Sequence, residues 1–390
     1  MININFKFLL LKFLFLIFQP FFKKDGYILV DNMYESHTSC IDTYTIFKYL
    51  RNTKKNKNSF YLIWKNNLSY EKIMQDGVIG FDIQGFPNSS DSYFLIKTFI
   101  PLLKCKYVIS SFYGSLPSEY REFLKKNKFI NLIGVGHGPV LFKTLIFDYP
   151  FCKQEEWDKY LVTNDIEKQI FIENGWPENK LISCGLPRYD CCKEIKTNEK
   201  KIFIFFTWRL TFEKEINSIY SSKYLKRILE FVHNEELLNL LKSHEIKMTI
   251  GLHHALIDIV NFNINAFNIP IEIADTSNLI KEINTSNLFI TDYSSIFFDS
   301  AYLNHPCIFW RIDSDDKYLN ETDKKDIENA IMQNHLIYNT FIDEKSVINC
   351  IKHYIENNFE LEEDYKQKMG KFFYIRNNNT ENFINLLESK

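Results

Sequence analysis

The segment from Leu288 to Trp310 constrains the fold more than any other part of the chain. It reads as an apolar run, Leu288 to Thr291, a polar turn, Asp292 to Ser295, a short amphipathic stretch, and a second apolar run, Cys307 to Trp310. Apolar runs of this length bounded by turn residues are buried strands, and a helix between two of them points to parallel pairing. A helix that opens directly after a strand aims unpaired backbone N–H groups and the positive end of its dipole at whatever lies beyond that strand, which suits an anion. Ser294 and Ser295 are therefore candidate phosphate ligands. The other reading is that one of them caps the helix, as Ser, Thr, Asp and Asn commonly do. Capping needs one polar group, whereas Asp292, Ser294, Ser295 and Asp299 all fall in this window. The two carboxylates would repel an anion and are assigned to shaping the turn.

The same alternation runs through the whole chain after Gly26, which makes the class α/β. Strands are expected at Tyr27 to Asp31, Phe60 to Trp64, Tyr107 to Ser110, Asn131 to Val135, Lys159 to Val162 and Leu181 to Ser183. A second series follows at Lys201 to Phe206, Lys247 to Leu252, Ile271 to Ala274, Leu288 to Thr291 and Cys307 to Trp310. Apolar spacing of three and four predicts helices over Tyr224 to Leu241 and Leu279 to Asn284. A length of 390 residues suits roughly two domains. The polar, lysine-rich stretch Cys191 to Lys201 is the candidate linker. The expected architecture is two Rossmann-like domains facing a cleft, residues 26–192 and 200–350, with helices in 351–390 packing back toward the first. Ligands of such sheets bind beyond the carboxyl ends of the strands.

Composition narrows the function. Hydrophobic residues at 45% and charged residues at 25% exclude a wholly disordered chain. A net charge of -2, from 47 basic and 49 acidic residues, gives no global basic field, and no nucleic-acid partner is assigned. The eight cysteines include no Cys-x-x-Cys and no zinc-ligand spacing, so they read as reduced thiols of a cytoplasmic protein. No cofactor or metal site is assigned. Asp313-Ser-Asp315-Asp316 names too few oxygen ligands for a hard cation.

Residues 1–25 stand apart. Phe6 to Phe22 is apolar except for Lys7, Lys12 and Gln19, and Lys23 and Lys24 follow. The run is barely long enough to span a bilayer and no small-x-small cleavage site follows it. It suits a helix lying in the interface of an anionic inner leaflet, which would make the protein peripheral to the inner face of the membrane. The alternative is a core helix packed on the first domain.

Polar residues recur just after strands. His137 ends the strand from Asn131, flanked by Gly136 and Gly138, which leave room for a substrate hydroxyl beside a candidate base. The alternative is a structural turn histidine. Lys143 nearby reads as a solvated lysine or an anion contact. His253 and His254 follow the strand from Lys247; adjacent side chains on an extended segment point apart, so one of the two faces the carboxyl edge. Thr207 and Arg209 end the strand from Lys201, and Arg209 can bind a pyrophosphate through its planar fork or lie on the surface over Trp208. Thr276 and Ser277 follow the strand ending at Ala274, as donor contacts or as caps. Arg188 and Asp190 sit in Gly185-Leu-Pro-Arg-Tyr-Asp190, where an ion pair between them would lock the turn.

In order, these segments resemble the CDP-glycerol glycerophosphotransferase family of teichoic acid and capsule polymer synthesis. The resemblance lies in His137-Gly-Pro-Val-Leu-Phe-Lys143, Gly185-Leu-Pro-Arg188-Tyr-Asp190, Phe206-Thr-Trp-Arg209, Leu252-His253-His254 and Thr291-Asp-Tyr-Ser-Ser-Ile-Phe-Phe-Asp299. It covers roughly residues 130–320 and is most specific in the last block. Pro139 and Val140 stand where Thr-Pro is usual, Phe206 replaces a Pro, and His254 replaces the Pro after the histidine. The resemblance implies a GT-B-like architecture. It also implies transfer of an alditol phosphate from a CDP-activated donor to a hydroxyl of a membrane-linked polymer or glycolipid, with release of CMP. His137 would then be the base, His253 a phosphate ligand, and Ser294 and Ser295 donor-phosphate contacts. A glycosyltransferase using a nucleotide sugar and a non-catalytic membrane scaffold are the rival functions.

Overall fold

The computed structural model describes residues 4–31, 41–65, 73, 75, 77–81, 90–111, 116–136, 138–141, 147, 153–193, 195, 199–207, 220, 222–253, 267–274, 276, 279–292, 294–312 and 339–389. The chain forms two compact units. The first comprises Met1–Pro139, Ile146–Cys191 and Tyr374–Lys390, and the second Val140–Leu145 and Cys192–Phe373.

The first unit holds strands β1 (Gly26–Val30), β2 (Ser59–Trp64), β3 (Val78–Phe81), β4 (Cys105–Ser110), β5 (Asn131–Gly134), β6 (Lys159–Val162) and β7 (Leu181–Ser183). They form one seven-stranded parallel sheet in the order β3-β2-β1-β4-β5-β6-β7. The core strand β1 is buried at every position, as a strand covered on both faces must be. The second unit holds β8 (Lys200–Phe205), β9 (Ile246–Gly251), β10 (Glu272–Ile273), β11 (Leu288–Thr291), β12 (Cys307–Trp310) and β13 (Asn339–Phe341). Their order is β10-β9-β8-β11-β12-β13, again all parallel. Both sheets therefore have the doubly wound order. Each reverses direction between its first strand and its fourth, at β1/β4 in one unit and at β8/β11 in the other, and ligand crevices open at such reversals.

Two strands were not expected, β3 and β13, and both lie at sheet edges. The predicted helix over Tyr224 to Leu241 is two helices, Lys223–Val232 and Glu235–Ser243, because the Asn234 side chain accepts from the Leu237 N–H and starts the second. The C-terminal segment also departs from expectation. Helices Glu344–Glu356 and Glu363–Phe372 belong to the second unit, where Val347, Ile351 and Tyr354 join the core built around Ile202, Ile290 and Trp310. The last helix, Asn379–Glu388, packs on the first unit, where Tyr27 Oη donates to Glu388 Oε1 at 2.6 Å and Tyr107 Oη to the Leu387 carbonyl at 2.6 Å.

The helix Ile4–Phe18 also belongs to the first unit. Phe15 meets Phe99 and Phe123 edge-on, with centroids 6.2 and 5.2 Å away. Among the described residues no helix is long and apolar enough to cross a membrane. No disulfide joins the described cysteines. Burial pushes the thiols of Cys105 and Cys184 up to about 12.

Candidate active site

In the first unit the carboxyl end of β5 packs against Tyr160 of β6. A Cβ added to Gly134 would overlap the Tyr160 ring, and one added to Gly136 would stand 3.0 Å from its hydroxyl. Gly136 has φ +67, a conformation that costs other residues. Gly134 and Gly136 thus lie against an aromatic ring of their own unit. His137 lies outside the described residues, as does Lys143. Gly138 is described and has φ 151. At the reversal itself, Asp31, Ser110 and Ser111 are buried at the ends of β1 and β4.

The turn Gly185 to Asp190 is scaffolding. Arg188 does not pair with Asp190. Its guanidinium reaches Asp42 at 3.3 Å and its backbone N–H donates to the same carboxylate at 2.9 Å. Asp190 instead receives the backbone N–H groups of Asn379 and Thr380, each at 2.8 Å, at the start of the last helix. A carboxylate there satisfies orphan donors and meets the positive end of the dipole. Gly185 has no Cβ because Asn379 Oδ1 occupies that place. Sequence reasoning missed Asp42. Its one sequence signal is an acid in the first turn of a helix, Ile41–Lys48, where it is nonetheless buried.

In the second unit the β8/β11 reversal is bridged by side chains. Thr291 Oγ1 donates to the Phe205 carbonyl at 2.7 Å, and the Asp292 carboxylate accepts from the Thr207 N–H at 2.9 Å and the Thr207 hydroxyl at 2.8 Å. Asp292 is almost wholly buried, so this bond forms where water competes little. The hydroxyl of Thr207 has one proton, and Asp292 holds it. Thr207 therefore fixes the turn and has no hydroxyl proton to offer an anion.

Beyond that bridge the chain turns into the helix Phe297–Tyr302 through Ser294 and Ser295, whose carbonyls accept from Phe297 and Phe298 at 3.0 and 3.1 Å. The helix N-cap is Ile296, and no side chain caps it. The capping role considered for these serines is thus not filled by either. Ser294 is buried and Ser295 half-buried, and Asp299 is buried in the first turn.

One strand over, Gly251 ends β9, and a Cβ there would meet the Phe205 ring at 2.9 Å and Thr276 Cγ2 at 3.0 Å. That close approach sets Thr276 against the carboxyl end of β9. His253 follows two residues on, half-exposed, its ring 6.2 Å from that of Phe205. The structure thus gathers Thr207, Asp292, Ser294, Ser295, Thr276 and His253 along one edge of the second sheet. Arg209, Ser277, His254 and the loop Asp313 to Asp316 lie outside the described residues. Among the described residues no three His, Cys, Asp or Glu side chains cluster as a metal site would require.

A sequence model of the family described as CDP-Glycerol:Poly(glycerophosphate) glycerophosphotransferase matches residues 13–388. The chain belongs to this family. It is 24% identical over 374 residues to the minor teichoic acid biosynthesis protein GgaB of Bacillus subtilis (strain 168), covering 87% of this chain and 37% of that protein. It is 24% identical over 293 residues to the teichoic acid poly(glycerol phosphate) polymerase of Bacillus spizizenii, covering 68% of each. The chain thus spans well under half the length of the first of these relatives. Among solved structures, the wall teichoic acid polymerase TagF superposes with a TM-score of 0.63 at 16% identity, over 95% of this chain and 90% of that one. A putative UDP-N-acetylglucosamine 2-epimerase from Listeria monocytogenes follows at 0.59 and 11%, over 94% and 96%. At such identities these likenesses establish the fold that glycerophosphotransferases share with an epimerase, and a fold hosts many chemistries.

Proposed function

We propose that the chain transfers an alditol phosphate, glycerol phosphate in the first instance, from a CDP-activated donor to a hydroxyl of a growing cell-surface polymer. The observation that carries this reading is the family match, which runs through both units from residue 13 to residue 388. The acceptor oxygen attacks the phosphorus that bears the alditol. The bond from that phosphorus to the bridging oxygen breaks, and CMP leaves with its electron pair. His137 takes the acceptor proton, while His253, Arg209, Ser294 and Ser295 meet the negative charge on the donor phosphates. Thr276 and Ser277 flank the donor. Positioning and fixed electrostatics supply most of the rate in such a displacement. The Thr207–Asp292 bridge supports this assignment, since it holds the turn that carries both serines at the sheet's reversal. The acceptor is a membrane-linked polymer or glycolipid, and the reaction takes place at the inner face of the cell membrane.

A donor panel tests the proposal. CDP-glycerol, CDP-ribitol and a set of nucleotide sugars are incubated with the protein and a membrane fraction, and the released nucleotide is separated by chromatography. CMP from a CDP-alditol is the expected result. A nucleoside diphosphate from a nucleotide sugar would assign a glycosyltransferase instead, and no release from any donor would leave a scaffold.

A further inference from the structure

The first sheet carries a cavity at the amino ends of its strands, away from the carboxyl edge to which the reaction is assigned. It measures about 350 Å³ and lies over β4 to β7, beneath the last turn of the helix Asn379–Glu388. Tyr107 pairs with Asn131 and Ile133 with Lys159 on neighbouring strands, and residues two apart on a strand share a face, so these four side chains project to one side. Ile182 joins them, because it pairs with Leu161, two residues beyond Lys159. The helix roofs that side. Tyr107 Oη donates to the Leu387 carbonyl at 2.6 Å, and Leu386 and Leu387 line the cavity. Leu387 is buried and Leu386 is 38% exposed, which places the mouth beside Leu386. Every lining residue belongs to the first unit. Packed interiors rarely leave a void larger than a water, and small-molecule sites begin at about this size.

The lining selects a ligand. Ile133, Leu181, Ile182, Leu386 and Leu387 make an apolar wall, Lys106 and Lys159 add two positive charges, and no acidic residue lines the cavity. Lys159 Nζ donates to the Asn179 carbonyl, and Lys106 Nζ lies 5.0 Å from the Tyr107 ring centroid, so both ammonium groups are held at the wall. The acid of the roof helix, Glu388, accepts from Tyr27 Oη of β1, across β4 from the strands beneath the cavity. A cation placed here would meet two like charges. A neutral apolar molecule would fill the volume and leave the lysines unanswered. An anion with an apolar body meets both parts of the wall.

We infer that this cavity binds a small amphipathic anion, with its charged head at Lys159 and its apolar body under Leu386 and Leu387. At roughly 30 Å³ per water-sized atom, the ligand has about ten heavy atoms. Its occupancy would pin the last helix to the sheet. Binding here needs no turnover and can be tested apart from the transfer reaction.

The test uses the full chain with octanoate as probe, by calorimetry and by NMR of the Ile133 and Ile182 methyl groups. Octanol, octylammonium and inorganic phosphate serve as controls. Octanoate binds one-to-one, shifts both methyl signals and raises the unfolding midpoint, and each control binds at least about tenfold more weakly. Saturating CDP-glycerol leaves octanoate affinity unchanged. Lys159→Met and Leu386→Trp, the second closing the mouth at a partly exposed position, each weaken octanoate at least about tenfold. Octanol or octylammonium binding as well as octanoate would overturn the inference. So would displacement of octanoate by CDP-glycerol, or binding that leaves both methyl signals unmoved. If Lys159→Met does not fold, equal octanoate affinity in folded Leu386→Trp and the parent chain would overturn it.

Discussion

Two polar turns of this chain look alike in sequence and are used differently. Gly185 to Asp190 and Thr291 to Ser295 each follow a strand and each combine small, hydroxylic or acidic residues. In the first, Arg188 holds Asp42 and Asp190 holds the start of the last helix. In the second, Thr291 and Asp292 tie β11 to β8, and the serines behind them lead into a helix that no side chain caps. The difference is one of place. Strand β7 is the edge strand of its sheet, whereas β8 and β11 flank a reversal, where the backbone opens toward a ligand. A recurrent motif therefore indicates chemistry only where the topology leaves it something to face.

Substitutions can break that contrast, and the largest effects belong to the catalytic side. His137→Ala should lower kcat by about 100-fold to 10,000-fold while donor affinity, read by calorimetry, stays near that of the parent protein. Undiminished turnover would remove the histidine from its role. Asp292→Ala removes the carboxylate that accepts from the Thr207 N–H and hydroxyl, and the loss of a charge-assisted bond should cost about 1.5–3 kcal/mol, seen in a denaturation midpoint together with weaker donor binding. If stability fell and donor binding did not, the bridge would be structural alone, like the Asp190 cap.

Smaller effects sharpen the comparison from the other side. Ser294→Ala/Ser295→Ala should raise the KM for the donor by roughly tenfold or more, since one hydroxyl bond to a charged phosphate is worth about 1.5 kcal/mol, with an unchanged unfolding midpoint. Asp190→Ala should do the reverse: a stability loss of about 0.5–2 kcal/mol with kcat and KM unchanged at temperatures where the protein is folded. The smallest expected change is chemical. With Cys105 and Cys184 pushed up to about 12 by burial, their thiolate fraction at pH 8 is minute, so an alkylating reagent should leave both unmodified until the protein unfolds.

Much of this was legible in the sequence, because a parallel strand covered on both faces is a continuous apolar run. Ile28, Ile204 and Ile290 lie in such runs and are fully buried. Edge strands lack that signal. Val78–Phe81 is short and carries a glycine, and Asn339–Phe341 is three residues of which none is buried. The partners of the polar turns were illegible for a different reason. Asp42 is 146 residues from Arg188, and Asn379 is 189 from Asp190. Nothing local to either member names the other. Gly136 beside His137 suggested a close approach, and what approaches it is Tyr160 from the neighbouring strand. Spacing can show that something approaches closely; only the fold shows what.

The claim that the chain moves an alditol phosphate is tested most directly by phosphorus NMR on the purified full chain with CDP-glycerol and a lipid-linked acceptor. The pyrophosphate resonances should give way to CMP and a new phosphodiester in a one-to-one ratio, with the phosphodiester in the polymer fraction. Loss of the pyrophosphate to CMP and free glycerol phosphate, or a pyrophosphate that persists while a nucleotide sugar is consumed, would contradict it.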